Sequence, residues 1–131
     1  MKIKFILLFS LLVFSAAAFA QETAKDSIEV VSIPTFEKMS TKKKAMVLDV
    51  RTPEEVAEGH LAGAVNVNFL GENFANEIQT LDKKKTYLLY CKSGNRTRKA
   101  ADLMQKAGFK HVYMLDGGIT AWKDAGKPTE K

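Results

Sequence analysis

Cysteine is almost missing from this chain: Cys91 is the only one in 131 residues. A single sulfur excludes an internal disulfide. With only two histidines, His60 and His111, it also falls short of a metal site of usual ligand spacing, and no metal or other cofactor is expected. Internal repeats and linkers are absent. The two lysine runs, Lys42-Lys43-Lys44 and Lys83-Lys84-Lys85, each precede a β-type run and carry no interleaved aromatics. They read as solvated turns, and no nucleic-acid partner is expected. The chain also lacks an apolar run of the about 20 residues that a membrane-spanning helix needs. Phe5 to Phe14 is apolar except for Ser10 and then gives way to small residues.

That N-terminal stretch has its own pattern. Lys2 and Lys4 are followed by the apolar segment, and Ser15-Ala16-Ala17-Ala18-Phe19-Ala20 ends it with Ala18 and Ala20 in an A-x-A arrangement. This is the three-part form of a secretory signal. Residues 1–20 are expected to be a signal peptide cleaved after Ala20, leaving no membrane attachment. No cysteine lies near the cut, which excludes a lipid anchor through sulfur. Removing these residues leaves 111, and the net charge of +5 falls to +3 because two lysines go with them. That is one small domain with a modest core. Residues 21–27 read as a polar arm, 28–127 as the domain and 128–131 as a polar tail. In an exported protein, a leftover cysteine points to a reactive thiol or an intermolecular pair. Burial as a small hydrophobe is the ordinary alternative.

Strands and helices alternate along the domain. Ile28 to Ile33 is rich in β-branched residues and reads as a strand, ended by Pro34, with a short helix through Ser40. Met46-Val47-Leu48-Asp49-Val50 is nearly all apolar, as in a strand buried on both faces. Thr52-Pro53-Glu54-Glu55 is a helix start: Thr52 caps, Pro53 fits the first position, and Glu55 completes a capping box. That helix stops at Gly59. Ala64 to Val67 is a brief strand. Phe74, Ile78 and Leu81 share one face of a helix over 72–81. Thr86 to Tyr90 is a fourth strand. Ala100, Leu103, Met104 and Ala107 mark the next helix, closed by Gly108 with Phe109 packing back on it. His111 to Met114 is a fifth strand, and Ile119 and Trp122 lie on a last helix ending at Gly126. This order implies an α/β sandwich with a mainly parallel sheet. Sites in such sheets lie beyond the carboxyl ends of the strands, where Asp49, Cys91 and Asp116 fall.

Cys91-Lys92-Ser93-Gly94-Asn95-Arg96-Thr97 therefore joins the end of a strand to the start of a helix. Unpaired N–H groups at a helix start stabilise an anion and favour the reactive form of a thiol. Gly94 permits a tight turn, and Ser93 and Asn95 tolerate one. Lys92 supplies a point charge and Arg96 a planar fork for oxyanions. Thr97 is placed to cap the helix. The stretch reads as a nucleophile, Cys91, in an anion-binding loop formed by residues 92–97. Arg98 is expected to face outward. Asp49 and Arg51 are read as organisers of the crevice floor. His60 is read as a structural residue that hydrogen-bonds loop backbone, and His111 lies at the wrong end of its strand to pair with Cys91.

Four stretches, in order, resemble the rhodanese family of sulfurtransferases. Asp49-Val50-Arg51-Thr52-Pro53-Glu54-Glu55 resembles its D-V-R-x-x-x-E segment. Gly59-His60-Leu61-Ala62-Gly63-Ala64-Val65-Asn66-Val67 resembles its G-H-I-x-G-A-x-N-I signature. Tyr90 to Thr97 resembles its active-site loop, and Leu115 to Trp122 its L-x-G-G-x-x-x-W segment. Together they cover about Ile28 to Gly126. The resemblance implies a five-stranded parallel sheet flanked by helices in three layers. It is closest to single-domain exported members and so implies a periplasmic location and a monomer. It also implies that Cys91 attacks the outer sulfur of thiosulfate, a small anionic donor. Sulfite leaves, and the resulting persulfide passes sulfur to cyanide or a thiol. No general base is required if the thiolate is preformed.

Alternatives of other kinds share the loop. An exported persulfide carrier or redox-partner module would have the same chemistry with little turnover. A phosphatase or arsenate reductase is disfavoured, because related phosphatases use C-x5-R and this loop is C-x4-R. The loop lacks the C-G-x-G-V pattern of mercaptopyruvate sulfurtransferases, and Lys92 stands where relatives often carry arginine.

Overall fold

The computed structural model describes residues 26–131. The expected signal segment and most of the arm lie outside the described residues. Ten elements alternate as the sequence pattern requires. They are β1 (Ser27–Val31), α1 (Ile33–Ser40), β2 (Ala45–Asp49), α2 (Pro53–Ala57), β3 (Val65–Asn66), α3 (Phe74–Gln79), β4 (Thr86–Tyr90), α4 (Asn95–Lys106), β5 (His111–Leu115) and α5 (Gly118–Asp124). The five strands form one sheet in the order β1-β5-β4-β2-β3, and every neighbouring pair is parallel. All carboxyl ends therefore open on one rim, and β4, which leads into Cys91, is central.

Side chains alternate across β4 with period two. Tyr87 and Leu89 join Leu48, Ala100, Met104, Phe109 and Val112 in one core layer. Leu88 and Tyr90 join Phe36, Val47, Leu115, Ile119 and Trp122 in the other. Both faces of the sheet are thus covered, which makes the domain three layers deep. That accounts for the unbroken apolar runs of β2 and β4.

Element ends follow local chemistry. Thr52 and Glu55 form the reciprocal capping box that their spacing predicts, with Pro53 at the helix start. At the end of α4, Gly108 turns with φ +99°. Its N–H donates to the Gln105 carbonyl, and the Phe109 N–H donates back to Met104. This is a Schellman close that buries Phe109. Several bounds differ from the sequence reading: β2 is Ala45–Asp49 rather than Met46–Val50, β3 is Val65–Asn66 rather than Ala64–Val67, and β5 reaches Leu115 rather than Met114. β1 takes in Ser27, assigned above to the arm, because its N–H donates to the Lys110 carbonyl. β1 ends at Val31 rather than Ile33, because Ser32 caps α1 through its hydroxyl. α3 runs only from Phe74 to Gln79.

The tail 128–131 reads as polar in sequence, yet it is tied down. Glu130 and His60 exchange backbone hydrogen bonds of 2.8 Å in both directions. Trp122 Nε1 donates to the Pro128 carbonyl at 2.9 Å. A buried indole N–H needs an acceptor, and the tail provides it.

Candidate active site

Cys91 is the first residue beyond β4, and α4 begins four residues later. Gly94 makes that short turn possible. It serves as the N-cap of α4 with φ +114°, a region nearly closed to other residues. Its N–H donates to Cys91 Sγ at 3.1 Å. The sulfur is therefore solvated by backbone at the amino end of the 12-residue α4, where the partial charge is positive. Cys91 is only 1% exposed and packs at the edge of the core. The sequence reading set burial against reactivity; here the thiol is buried and still meets the Gly94 N–H.

A second element fixes the loop from below. The N–H groups of Ile119 and Thr120, at the start of α5, donate to the carbonyls of Cys91 (2.9 Å) and Lys92 (3.1 Å). Gly118 lies so close that a Cβ there would sit 2.6 Å from the Cys91 oxygen and 2.5 Å from the Lys92 oxygen. Sequence pattern alone does not mark the start of α5 as part of the site. Only the crossover of β5 beside β4 brings it there, although Gly117-Gly118 was a visible signal of close backbone approach.

Arg96 does not face the sulfur alone. Its Nη1 and Nη2 form a two-pronged pair with Glu55, at 2.6 and 2.9 Å. The guanidinium, hydrogen-bonded across the pair, holds the Glu55 carboxyl well below its usual range, at about 2, against the opposing effect of burial. In turn the pair keeps Arg96 more firmly protonated. Its place in the sequence marks Glu55 only as a helix-capping residue. It also reaches across the crevice, a role that spacing along α2 does not reveal.

Thr97 is not the cap of α4. The helix starts two residues earlier, and the Thr97 hydroxyl donates to the Gly94 carbonyl at 2.8 Å, bracing the turn from inside. Lys92, Ser93 and Asn95 are exposed around the loop, and Arg98 points outward on α4.

Beneath the loop lies a buried polar network. Arg51 donates to both carboxylate oxygens of Asp49, the shortest contact being 2.7 Å, and its backbone N–H donates to Oδ1 at 3.0 Å. Burial opposes the Arg51 charge, and the Asp49 carboxylate more than offsets it. The Tyr90 hydroxyl donates to Asp49 Oδ2 at 2.5 Å and accepts the Leu61 N–H at 3.0 Å. Burial, followed by the hydrogen bond to Asp49, pushes the Tyr90 hydroxyl pKa upward. Arg51 Nη2 also donates to the Gly59 carbonyl at 2.7 Å, and Asn66 Nδ2 donates to the carbonyls of Asp49 and Arg51. His60 sits in this loop with Nδ1 2.9 Å from the Leu61 carbonyl. The network thus ties the ends of β2, β3 and β4 to the loop that carries His60. Tyr90 and Asn66 are members that sequence reasoning missed.

A cleft of about 140 Å³ opens between this floor and the loop. Arg51, Glu55, Glu58, Lys92 and Lys123 contribute charges to it, and the first turn of α5 forms its wall. Among the described residues, no group of three or more His, Cys, Asp or Glu is placed to hold a metal ion.

The arrangement defines a class: a parallel α/β domain with a backbone-solvated thiol at the carboxyl end of its central strand. The chain belongs to the rhodanese family, since the family model described as Rhodanese-like domain matches residues 32–125. It is 35% identical over 100 residues to the putative sulfurtransferase YtwF of Bacillus subtilis, covering 76% of this chain and 94% of that one. It is 32% identical over 99 residues to the thiosulfate sulfurtransferase GlpE of Shewanella oneidensis, covering 76% and 96%. The crystal structure of a rhodanese-related protein from Thermoplasma volcanium superposes with a TM-score of 0.70 at 25% identity, over 79% of this chain and 98% of that one. These relatives support a rhodanese-type sulfurtransferase.

Proposed function

We propose that the protein is an exported sulfurtransferase that carries sulfane sulfur on Cys91. The donor is thiosulfate or a similar anion, and the acceptor is cyanide or a thiol. Cys91 thiolate attacks the outer sulfur of the donor, the S–S bond of the donor breaks, and sulfite leaves with the bonding pair. The persulfide anion then occupies the place of the thiolate. The observation that carries this reading is the Gly94 N–H on Cys91 Sγ at the start of α4, with the loop carbonyls turned away toward α5. A donor aimed at the sulfur serves a thiolate and a persulfide anion alike. Lys92 at the cleft supplies the positive charge that a dianionic donor needs. Export and a periplasmic location rest on the three-part pattern of residues 1–20. Incubation with thiosulfate followed by intact-mass measurement tests the reading. One added sulfur is expected in the parent and none in Cys91→Ser. The absence of added sulfur with any sulfane donor sinks it.

One observation favours a second reading, a persulfide carrier served by another protein. Cys91 is 1% exposed, and Arg96 is already taken up by Glu55, so small molecules meet a guarded sulfur. Steady-state thiocyanate formation separates the two: a carrier holds sulfur but turns over negligibly.

A further inference from the structure

The cleft beside the loop has a charge pattern that a dianionic donor does not explain. Five charged side chains line it, and two of them are matched within the fold: Arg51 with Asp49, and Glu55 with Arg96. Lys92, Lys123 and Glu58 remain. Among the described residues these three form no ion pair or side-chain hydrogen bond. A cleft serving only thiosulfate, sulfite or cyanide would be expected to be uniformly cationic, because a carboxylate at its rim repels every one of these. Glu58 also works against its own helix. It is the C-cap of α2, an end that carries partial negative charge. The fold gains nothing visible from an acid at this position.

We propose that this cleft is the acceptor subsite and that its ligand is a small thiol bearing both an ammonium and a carboxylate, such as an amino-acid thiol. The proposal deepens the sulfurtransferase reading and rests on it for the transfer step. Glu58 receives the ammonium, and Lys123 with Lys92 receives the carboxylate. At about 140 Å³ the open cleft is below the ~300 Å³ at which ordinary ligand pockets begin and matches an anchored group of amino-acid size. Lys92 is the chain neighbour of Cys91, and the wall of the cleft is the turn of α5 that holds the Cys91 carbonyl. A ligand anchored here therefore lies beside the loop that carries Cys91. The compact, mobile charge of Lys92 suits a site that must accept a donor first and an acceptor afterwards, where a rigid guanidinium fork would favour one oxyanion geometry. In the transfer, the acceptor thiol loses its proton to solvent and its thiolate attacks the outer sulfur of the Cys91 persulfide. The S–S bond to Sγ breaks, its electron pair returns to Cys91 as thiolate, and the acceptor leaves as a persulfide. No outside oxidant or reductant is required.

The test uses protein loaded with thiosulfate, with loading confirmed by mass. It is discharged in single turnover by cysteine, by cysteamine, which lacks the carboxylate, and by 3-mercaptopropionate, which lacks the ammonium. The ratio of variant to parent rate for each thiol cancels the intrinsic reactivity of that thiol. Glu58→Gln is expected to slow cysteine and cysteamine by roughly threefold to fivefold, the scale of an exposed charge pair, and to spare 3-mercaptopropionate. Lys123→Gln is expected to slow cysteine and 3-mercaptopropionate and to spare cysteamine. Equal effects on all three thiols overturn the proposal. A second measurement does not depend on sulfur transfer: amide shifts of unloaded protein titrated with S-methylcysteine. Shifts at Glu58, Lys92, Thr120 and Lys123 that weaken in Glu58→Gln support the subsite, and their absence overturns it. Failure to load with thiosulfate counts against the sulfurtransferase reading instead, and the titration still decides the cleft.

Discussion

Asp49→Asn is the most informative single change in the floor of the site. Asp49 is fully buried, and four donors converge on its carboxylate: the Arg51 backbone N–H, Arg51 Nε, Arg51 Nη2 and the Tyr90 hydroxyl. Asparagine keeps the shape but turns one oxygen into an NH2 group. If that group takes the Oδ1 position, it meets the Arg51 N–H and Nε. In the Oδ2 position it meets Arg51 Nη2 and the Tyr90 hydroxyl. Either orientation sets donor against donor, and the Arg51 side chain, 5% exposed, keeps its charge without a counter-ion. Breaking a buried pair in this way costs about 3–5 kcal/mol. A domain of this size loses roughly 4–8 °C of Tm per kcal/mol, so a fall of at least about 12 °C is expected in thermal melts followed by circular dichroism. Removing the stranded charge gives a check: Asp49→Leu/Arg51→Met is expected to be more stable than Asp49→Leu alone. An Asp49→Asn Tm within about 3 °C of the parent would refute the claim that this pair holds the strand ends together.

Gly118→Ala is expected to cost roughly 2–5 kcal/mol, from a positive φ combined with a Cβ driven into the Cys91 and Lys92 carbonyls. Gly126→Ala, with positive φ but open space, should cost only about 1–2 kcal/mol, and equal losses in urea unfolding would contradict the close-approach argument. Because the Glu55 pKa is depressed from 4.5 to about 2, its pair with Arg96 stabilises the fold above pH 4.5, and that contribution is lost as pH falls toward 2. Glu55→Gln should therefore lower stability by about 1 kcal/mol at neutral pH, with the gap to the parent closing across this window. A gap undiminished at pH 2 in the two Tm profiles would show that the pair is not its source. Truncation after Lys127 removes the acceptor for Trp122 and the bridge to His60. A loss of about 1–3 kcal/mol with faster amide exchange at His60 is expected, and unchanged exchange there would show that the tail does not brace the loop.

The sequence by itself settled what depends on local pattern. Alternating apolar periods, the capping box of Thr52 and Glu55, and the glycine close after α4 are short-range physics, and they led to the right layers and a parallel sheet. The position of Cys91 between strand and helix was legible for the same reason. What only the tertiary structure decided are contacts between residues far apart in the chain. Glu55 meets Arg96 because β2 and β4 are neighbours, which no spacing within α2 or α4 announces. Tyr90 reaches both Asp49 and the Leu61 N–H because the strand alternation and the loop path converge there. Gly118 meets the Cys91 carbonyl because β5 runs beside β4. Burial of the thiol belongs to this second kind. Residue types along 91–97 gave the charge of the loop, but only the chain folded around it decides how much solvent reaches the sulfur.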